Sequence, residues 1–215
     1  MDYSWVVSNS EVINLVLQAI MVLIWVAYLQ LFLFSYLRQR RPVVLINRSV
    51  GSSENARCFV SNMGAEPVHL TALVADLTIG DEVHRSFVTD RDELEKSGMS
   101  QPSEGTNQGP VAPGGFVDAG SFGEIVRRAL SHIEDKDDEN EVSRLSLMAL
   151  CSSGYSSHIV AGARTFEIGM RDGARHFIPV EPTTLQYSSR RHQRSNYEIL
   201  RKQLADERAD LENPR

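Results

Sequence analysis

The longest apolar run in the chain extends from Val12 to Leu37 and contains no charged residue. A helix of about 26 residues, at a rise of about 1.5 Å per residue, is about 39 Å long, which is enough to cross a hydrocarbon core of about 30 Å with some tilt. A buried helix of a soluble protein would show a polar face, which this run lacks. The pattern therefore predicts a single transmembrane helix over residues 12–37.

A cleaved signal peptide is the main alternative for an apolar run so close to an N-terminus. Such a peptide carries a basic segment, a shorter apolar core and small residues at the cleavage site. Residues 1–14 contain no Lys or Arg, and the run ends in Phe34-Ser-Tyr-Leu-Arg38. The sequence therefore favours a span that is retained.

The charges on the two sides of the span predict its orientation. The leading side carries acidic residues alone, whereas Arg38, Arg40 and Arg41 follow the span directly. Basic residues close to a span are retained in the cytoplasm. We expect an external N-terminus, a cytoplasmic C-terminal domain, and these three arginines as the inner-face anchor, in a membrane such as the bacterial inner membrane.

Within the span, the larger and more polar side chains recur at alternating steps of four and three residues, which places them on one seam of the helix. This spacing is typical of a left-handed helix pair, in which Gln18 and Tyr28 could form hydrogen bonds across the contact. A chance distribution of tolerated polar residues is the alternative. The seam consists of Asn14, Gln18, Met21, Trp25, Tyr28, Phe32 and Ser35.

Beyond the span, short β-branched and apolar runs alternate with turn residues, a pattern typical of antiparallel sheet. Gly80-Asp81 and Asp172-Gly173 predict tight hairpins. About seven strands at this spacing predict an immunoglobulin-like antiparallel sandwich, as an architecture alone, because no tryptophan follows the span. The predicted strands are 43–49, 56–62, 68–79, 83–88, 142–151, 158–168 and 174–180.

Two segments interrupt the strand pattern. Residues 90–115 combine acidic residues with a Gly- and Pro-rich stretch and predict a long loop, either functional or disordered. The residue order of an EF-hand calcium site is missing, which favours a solvated acidic turn. Ser121 and Glu124 form a capping-box pattern that opens an amphipathic helix over 121–133. The acidic run 134–141 is too polar to bury and predicts a linker, with a basic partner surface as the alternative.

The tail, residues 187–215, predicts a polar and basic segment followed by an amphipathic helix that starts at a second capping box, Ser195 to Glu198. Its apolar stripe could dock on its own domain, pair with a second copy or lie in a partner's groove. The basic cluster 190–194 could contact phosphate or anionic lipid, or be a solvated helix start. The candidate partner contacts on the stripe are Tyr197, Leu200, Leu204 and Leu211.

The charge balance argues against nucleic acid as a partner. The chain has 22 Lys and Arg against 28 Asp and Glu, a formal net charge of -6, whereas the phosphate backbone requires a basic face. Cys58 and Cys151 lie in strand-like runs, and in the cytoplasm we expect both to be buried, reduced thiols. A domain outside the cytoplasm would make a disulfide between them reasonable.

No pattern in the sequence indicates an enzyme. The six histidines are scattered singly, without the spacing that metal ligands require. Ser121 lies in Gly-Ser-Phe-Gly, which is not a nucleophile elbow, and residues 109–115 lack the Lys-Ser/Thr of a phosphate-binding loop. The sequence therefore predicts no catalytic residue, no cofactor and no metal site.

The expected protein is a single N-terminal transmembrane helix joined to a mainly-β domain with one inserted helix and a C-terminal helix. Its partners would be membrane lipid and a protein partner or a second copy of the chain, as an accessory or interaction protein. A membrane-tethered sensor that binds a small ligand or ion through 90–115 is the alternative. The predicted segments are 1–11 outside, 12–37 in the membrane, 38–42 basic, 43–183 sandwich and 187–215 tail.

Overall fold

The computed structural model describes residues 9–39, 41–89, 107–133, 139–153 and 156–212. It divides into two compact units, one up to Arg41 and one from Pro42 onward. The described part of the first unit is one helix, α1 (Ser10–Gln39). This helix is long and apolar enough to cross a membrane, and none of its apolar segment is buried within the protein. The predicted long apolar helix is confirmed.

The second unit is mainly antiparallel sheet with two further α-helices. The helices are α2 (Phe122–Leu130) and α3 (Arg190–Glu212), and a 3-10 helix (Glu139–Glu141) precedes β7. The strands are β1 (Val44–Arg48), β2 (Arg57–Asn62), β3 (Val68–Ile79), β4 (Glu82–Phe87), β5 (Gly109–Val111), β6 (Phe116–Ser121), β7 (Val142–Ser153), β8 (Ser156–Arg171), β9 (Ala174–Pro179) and β10 (Leu185–Tyr187).

The strands form two sheets. The smaller sheet has the order β1-β2-β6, and the larger has the order β10-β8-β7-β3-β4, with β5 also on β3 and β9 also on β8. β4 and β5 follow one another along the same edge of β3, and β9 and β10 do the same along β8. Both outer edges of the larger sheet are therefore covered by two short strands in succession.

One hydrophobic core fills the space between the two sheets and α2. It contains Val44 and Cys58 from the smaller sheet, together with alternate residues of β3, β7 and β8. At its centre the ring of Phe122 lies 5.0 Å from Phe177 in a stacked arrangement and 4.7 Å from Phe166 edge to face. α2 covers this core because its apolar residues lie on one side of the helix and must be removed from water.

Several predicted local features are confirmed. Asp172 and Gly173 have φ of +54° and +75°, as a tight hairpin between β8 and β9 requires. Ser121 caps α2: its side chain accepts a hydrogen bond from Glu124 N–H, and the Glu124 carboxylate accepts one from Ser121 N–H. The helix ends at Leu130, however, three residues before the predicted boundary of 133.

Other predicted boundaries are wrong. β5 lies inside the segment predicted as a loop over 90–115, and residues 90–106 lie outside the described residues. β6 and β10 were not predicted. α3 begins at Arg190 rather than after Ser195, because Ser189 accepts the N–H of His192 and its carbonyl accepts that of Gln193. Capping a helix one and a half turns earlier leaves Ser195 in its interior.

Candidate interaction surfaces

The seam predicted on the span lies along α1, and its large side chains are exposed. The exposed fractions of Met21, Trp25, Tyr28 and Phe32 range from 60% to 71%. The ring of Phe32 stacks on Tyr36, one turn later, at 6.2 Å between centroids. These side chains are free to meet lipid or another helix, since no part of the described chain covers them.

The arginines predicted as the inner-face anchor begin in the last turn of α1. Arg38 is within the helix, Arg41 is exposed and donates its N–H to the carbonyl of Arg38 at 3.4 Å, and Arg40 lies outside the described residues. These positions follow the apolar segment without a gap, as an anchor at a headgroup layer requires.

The β unit receives the chain at one end, which we call the proximal end. The carbonyl of Val43 accepts the N–H of Met63 at 2.8 Å, and the Cα of Pro42 would lie 3.1 Å from a Cβ placed on Gly64. Asn62 is 1% exposed, and its amide ties this end together by donating to the carbonyls of Glu66 and Val111 at 2.8 and 3.0 Å. The first residues of the unit are therefore fixed to its body.

The outer edge of β1 is closed by side chains rather than by a strand. Gln186 accepts the N–H of Val44 at 3.1 Å and donates to its carbonyl at 2.6 Å. Thr184 Oγ1 accepts the N–H of Ile46 at 3.0 Å, and Arg164 donates to the Ile46 carbonyl at 2.9 Å. Because these backbone groups of β1 are already hydrogen-bonded to side chains, this edge does not offer a strand-pairing site to another chain.

α3 packs on the face of the larger sheet that points away from the core. Ile199 and Leu200 lie against a small apolar cluster, which consists of Ala72, Val74, Leu150 and Ala161. Asn196 is 3% exposed and its amide donates to the carbonyls of Ile159 and Tyr187, both at 3.1 Å. The first half of α3 is thereby fastened to its own domain.

The predicted partner stripe is therefore divided. Leu200 is partly buried against the sheet, whereas Tyr197 and Leu204 are 57% and 54% exposed. The side chain of Leu211 lies outside the described residues. The sequence did not predict Asn196 and Ile199 on the docked face. Asn196 was missed because a buried asparagine does not stand out in an apolar pattern.

The opposite end of the β unit, which we call the distal end, is fastened by a buried arginine. The side chain of Arg175 is 9% exposed and forms ion pairs with Glu54, at 2.9 Å, and with Glu139. Nearby, Ser52 Oγ forms a hydrogen bond with His176 Nδ1. Both carboxylates are engaged by the guanidinium, so this cluster joins the β1–β2 connection, the 3-10 helix and β9.

Neither cysteine of the β unit is positioned for chemistry. Cys58 and Cys151 are free thiols with 0% exposure in the common core. Burial raises the pKa of both thiols to about 12, and the reactive form of cysteine is the thiolate. The prediction that both cysteines are buried is confirmed, and they are not paired with each other.

Within the described ranges, no three His, Cys, Asp or Glu side chains lie together in a group that could hold a metal ion. His84 pairs with Glu82 at 3.2 Å, and His132 Nδ1 contacts the carbonyl of Arg128 at 2.8 Å. Each described histidine named here serves a local contact.

Thr89 and Asn107, which flank residues 90–106 in the sequence, are bonded to each other at the sheet edge. They are 4% and 1% exposed, and the N–H of Asn107 donates to the carbonyl of Thr89 at 2.9 Å. Thr89 Oγ1 also accepts the N–H of Leu73 at 3.1 Å. β4 and β5 are therefore joined along the edge of β3 by this hydrogen bond.

No protein-family model matches the chain, and neither a curated protein nor a solved structure is significantly similar to it.

Proposed function

We propose that this chain is a single-pass membrane protein whose β domain, held at the cytoplasmic side, contacts a protein partner or stabilises a membrane complex. The observation that carries the proposal is α1, a helix of 30 residues whose apolar segment is not buried among the described residues. In water, such a helix would expose a large apolar surface, which soluble monomers avoid. The arginines after it support an external N-terminus, and the reduced cysteines are compatible with the cytoplasm.

The orientation can be tested by labelling from each side of the membrane. The native thiols are buried, so a Ser195→Cys variant supplies one exposed site on α3. In intact cells, a membrane-impermeant maleimide should leave this site unlabelled, and permeabilisation should allow labelling. Labelling in intact cells, or release of the native chain into the soluble fraction without detergent, would overturn the proposal.

The partner is proposed to meet the seam of α1. Polar side chains inside a bilayer gain by bonding to protein rather than facing lipid, by about 0.6–2 kcal/mol each. Gln18 lies on the seam and Gln30 lies off it, so the chain supplies its own matched control.

The experiment is co-purification of the full chain in mild detergent. Wild type and Gln30→Leu should retain a stoichiometric partner or a second copy, and Gln18→Leu should lose most of it. A monomer in several detergents, or equal behaviour of the two variants, would contradict the proposal.

We also propose that the β unit is an immunoglobulin-like sandwich. In that architecture strands A, B and E share one sheet, while C, F and G share the other, and the variable type adds C′ beside C. The orders β1-β2-β6 and β8-β7-β3-β4 match A-B-E and G-F-C-C′, which supports the proposal. An experimental structure in which β3 pairs with β2 rather than β7 would overturn it.

A sensor is the second candidate, because Thr89 and Asn107, the residues on either side of 90–106, are bonded to each other on the sheet edge. Loops held by a rigid scaffold are common binding sites. A specific nucleotide, sugar or divalent ion that raises the melting temperature of the full chain by mass action would favour this function. A variant with residues 90–106 shortened should lose that shift. Equal stabilisation of the full chain and the shortened variant by the same ligand would contradict the sensor.

A further inference from the structure

The connection between the two units is short. α1 ends at Gln39, and Val43 is already fixed to the β unit through Met63. Four successive Cα–Cα steps reach at most about 14 Å when extended. If α1 spans the bilayer as proposed above, the chain length alone keeps the proximal end of the β unit within about 14 Å of the end of the helix, close enough to reach the headgroups.

The fold brings the start of α3 to this same end. Gln186, in β10, bonds to Val44, the first residue of β1. Three residues after Gln186, Ser189 caps α3. The exposed side chains of Arg191, His192 and Arg194 follow in the first turns of that helix. These residues are far from the span in sequence, and only the pairing of β10 with β8 places them beside the point where the chain arrives.

Two large apolar side chains are also exposed at the proximal end. Met63 is 56% exposed in the bend after β2, and Phe116 is 64% exposed at the start of β6. The register pairs Phe116 with Ser61, next to the point where Asn62 pairs with Val44. Arginines beside exposed apolar side chains are the composition that favours a membrane interface.

The distal end carries charges of both signs among the described residues. Arg171 pairs with Asp172 at the β8–β9 turn, and the buried Arg175 pairs with Glu139. At the proximal end, by contrast, the first turn of α3 has no acidic residue beside its arginines, and Glu66 lies in the bend before β3. An anionic membrane surface would therefore attract the exposed arginines of the proximal end.

The position of the arginines is not explained by helix stability. The N-terminus of a helix carries partial positive charge, which disfavours cations in its first turns by about 0.3–1 kcal/mol each. α3 nevertheless begins Arg-Arg-His-Gln-Arg and has no acidic residue in its first turn. A binding role for the guanidinium groups explains why arginines occupy the first turns of α3, where their charge destabilises the helix.

We propose that the proximal end of the β unit, through Arg191 and Arg194 and through Met63 and Phe116 at the same end, docks on anionic phospholipid headgroups. This inference rests on the proposed membrane span. Each arginine near an anionic surface strengthens docking by about fivefold, so removing two should weaken it by about 30-fold. The attraction falls off within a Debye length of about 10 Å at 0.1 M salt, so added salt should release the domain.

The test uses the full chain in nanodiscs of neutral lipid or of neutral lipid with about one-third phosphatidylglycerol. A fluorophore on Ser195→Cys reports docking through quenching by headgroup-labelled lipid. Quenching should be stronger in the anionic discs, should fall with salt, and should be lost in Arg191→Gln/Arg194→Gln. Equal quenching in both lipids at low salt would overturn the inference.

A control with the same charge change uses distal arginines. Arg144 and Arg171 are exposed and form only surface ion pairs, so Arg144→Gln/Arg171→Gln should keep the anionic-lipid response. Loss of the response in this control as well would mean that net charge, rather than the proximal end, is responsible, and would overturn the inference. Release by inorganic phosphate beyond that of chloride at equal ionic strength would indicate a phosphate site instead of a lipid surface and would also overturn it.

Failure of the span and failure of lipid docking give different results. A chain that does not stay with the discs during size-exclusion chromatography overturns both proposals. A chain that stays in the discs but shows no preference for anionic lipid overturns the docking surface alone.

Discussion

A methyl group added at Gly162 tests whether β1 crosses β8 as the fold requires. A Cβ at this position would lie 2.5 Å from the carbonyl oxygen of Val44 and 3.1 Å from Cγ2 of Thr184. The nearer atom belongs to the backbone, so no side-chain rotation relieves the clash. β1 cannot retreat easily either, because Gln186 holds both polar backbone groups of Val44.

The expected cost of Gly162→Ala follows from overpacking, which destabilises by about 1–3 kcal/mol. Alanine also reduces the entropy of the unfolded chain, which stabilises by about 0.4–1 kcal/mol, so the expected net loss of stability is about 1.3 kcal/mol. For a domain of this size, about 1 kcal/mol shifts the melting temperature by about 2–4 °C. We expect Gly162→Ala to lower the melting temperature by about 3–5 °C.

The assay is pulsed thiol labelling of the full chain in detergent along a temperature ramp. Cys58 and Cys151 are buried free thiols whose pKa burial raises to about 12, so they react only after the β unit unfolds. α1 contains no cysteine. The signal therefore reports the β unit without a contribution from the span.

Gly169 supplies the matched control on the same strand. A Cβ there would meet no heavy atom within 4 Å, so Gly169→Ala should keep or slightly raise the melting temperature. If Gly162→Ala left the temperature unchanged, or if both variants lowered it equally, β1 would not lie across β8 at this point and the shared core between the two sheets would be wrong.

Three further predictions concern polar contacts. Burial alone raises the pKa of Glu124, but hydrogen bonds from Ser121 and nearby arginine charges outweigh this and lower it. The ionised carboxylate therefore stabilises the fold above about pH 4.5, and this contribution disappears as pH falls through the folded-state pKa. Between about pH 5 and 3, the free energy of unfolding from denaturant titrations should therefore fall less in Glu124→Gln than in wild type. Arg128→Met should destabilise by about 2–5 kcal/mol, because the guanidinium is 5% exposed and donates to the carbonyls of Val88 and Ala119, both at 2.8 Å; a loss below 1 kcal/mol in urea titration would contradict this. Asn196→Ala should cost about 1–3 kcal/mol and speed hydrogen exchange over 190–204, and unchanged exchange would show that α3 is not fastened through this amide.

Local patterns were sufficient for the long strands and for the helix caps that depend on neighbouring residues. β3 was predicted with its observed limits, Val68–Ile79, because its apolar residues are continuous and a Gly-Asp turn follows. The cap of α2 was predicted from Ser121 and Glu124 because both partners lie within four residues. The same reasoning failed at Ser195, where the pattern is present but Ser189 caps the helix first.

The short strands could not be predicted from their own residues. β5 and β10 have three residues each, too few to show an alternation. β6 contains Asp118 and Gly120, which are poor strand formers, and it pairs with β2 across a register shift. These segments become strands because a partner edge with unpaired N–H and C=O groups lies beside them.

The sequence by itself determined that an apolar helix, followed by arginines, precedes a β-rich domain. The length of an apolar run and the periodicity of apolar residues are properties of consecutive residues. The tertiary structure alone decided which distant groups meet: Gly162 against Val44, Arg175 between two glutamates, and Arg191 and Arg194 beside the point where the chain enters the domain. Such contacts depend on strand order and register, which arise from burying a common core and satisfying each backbone polar group, and no short stretch of sequence records them.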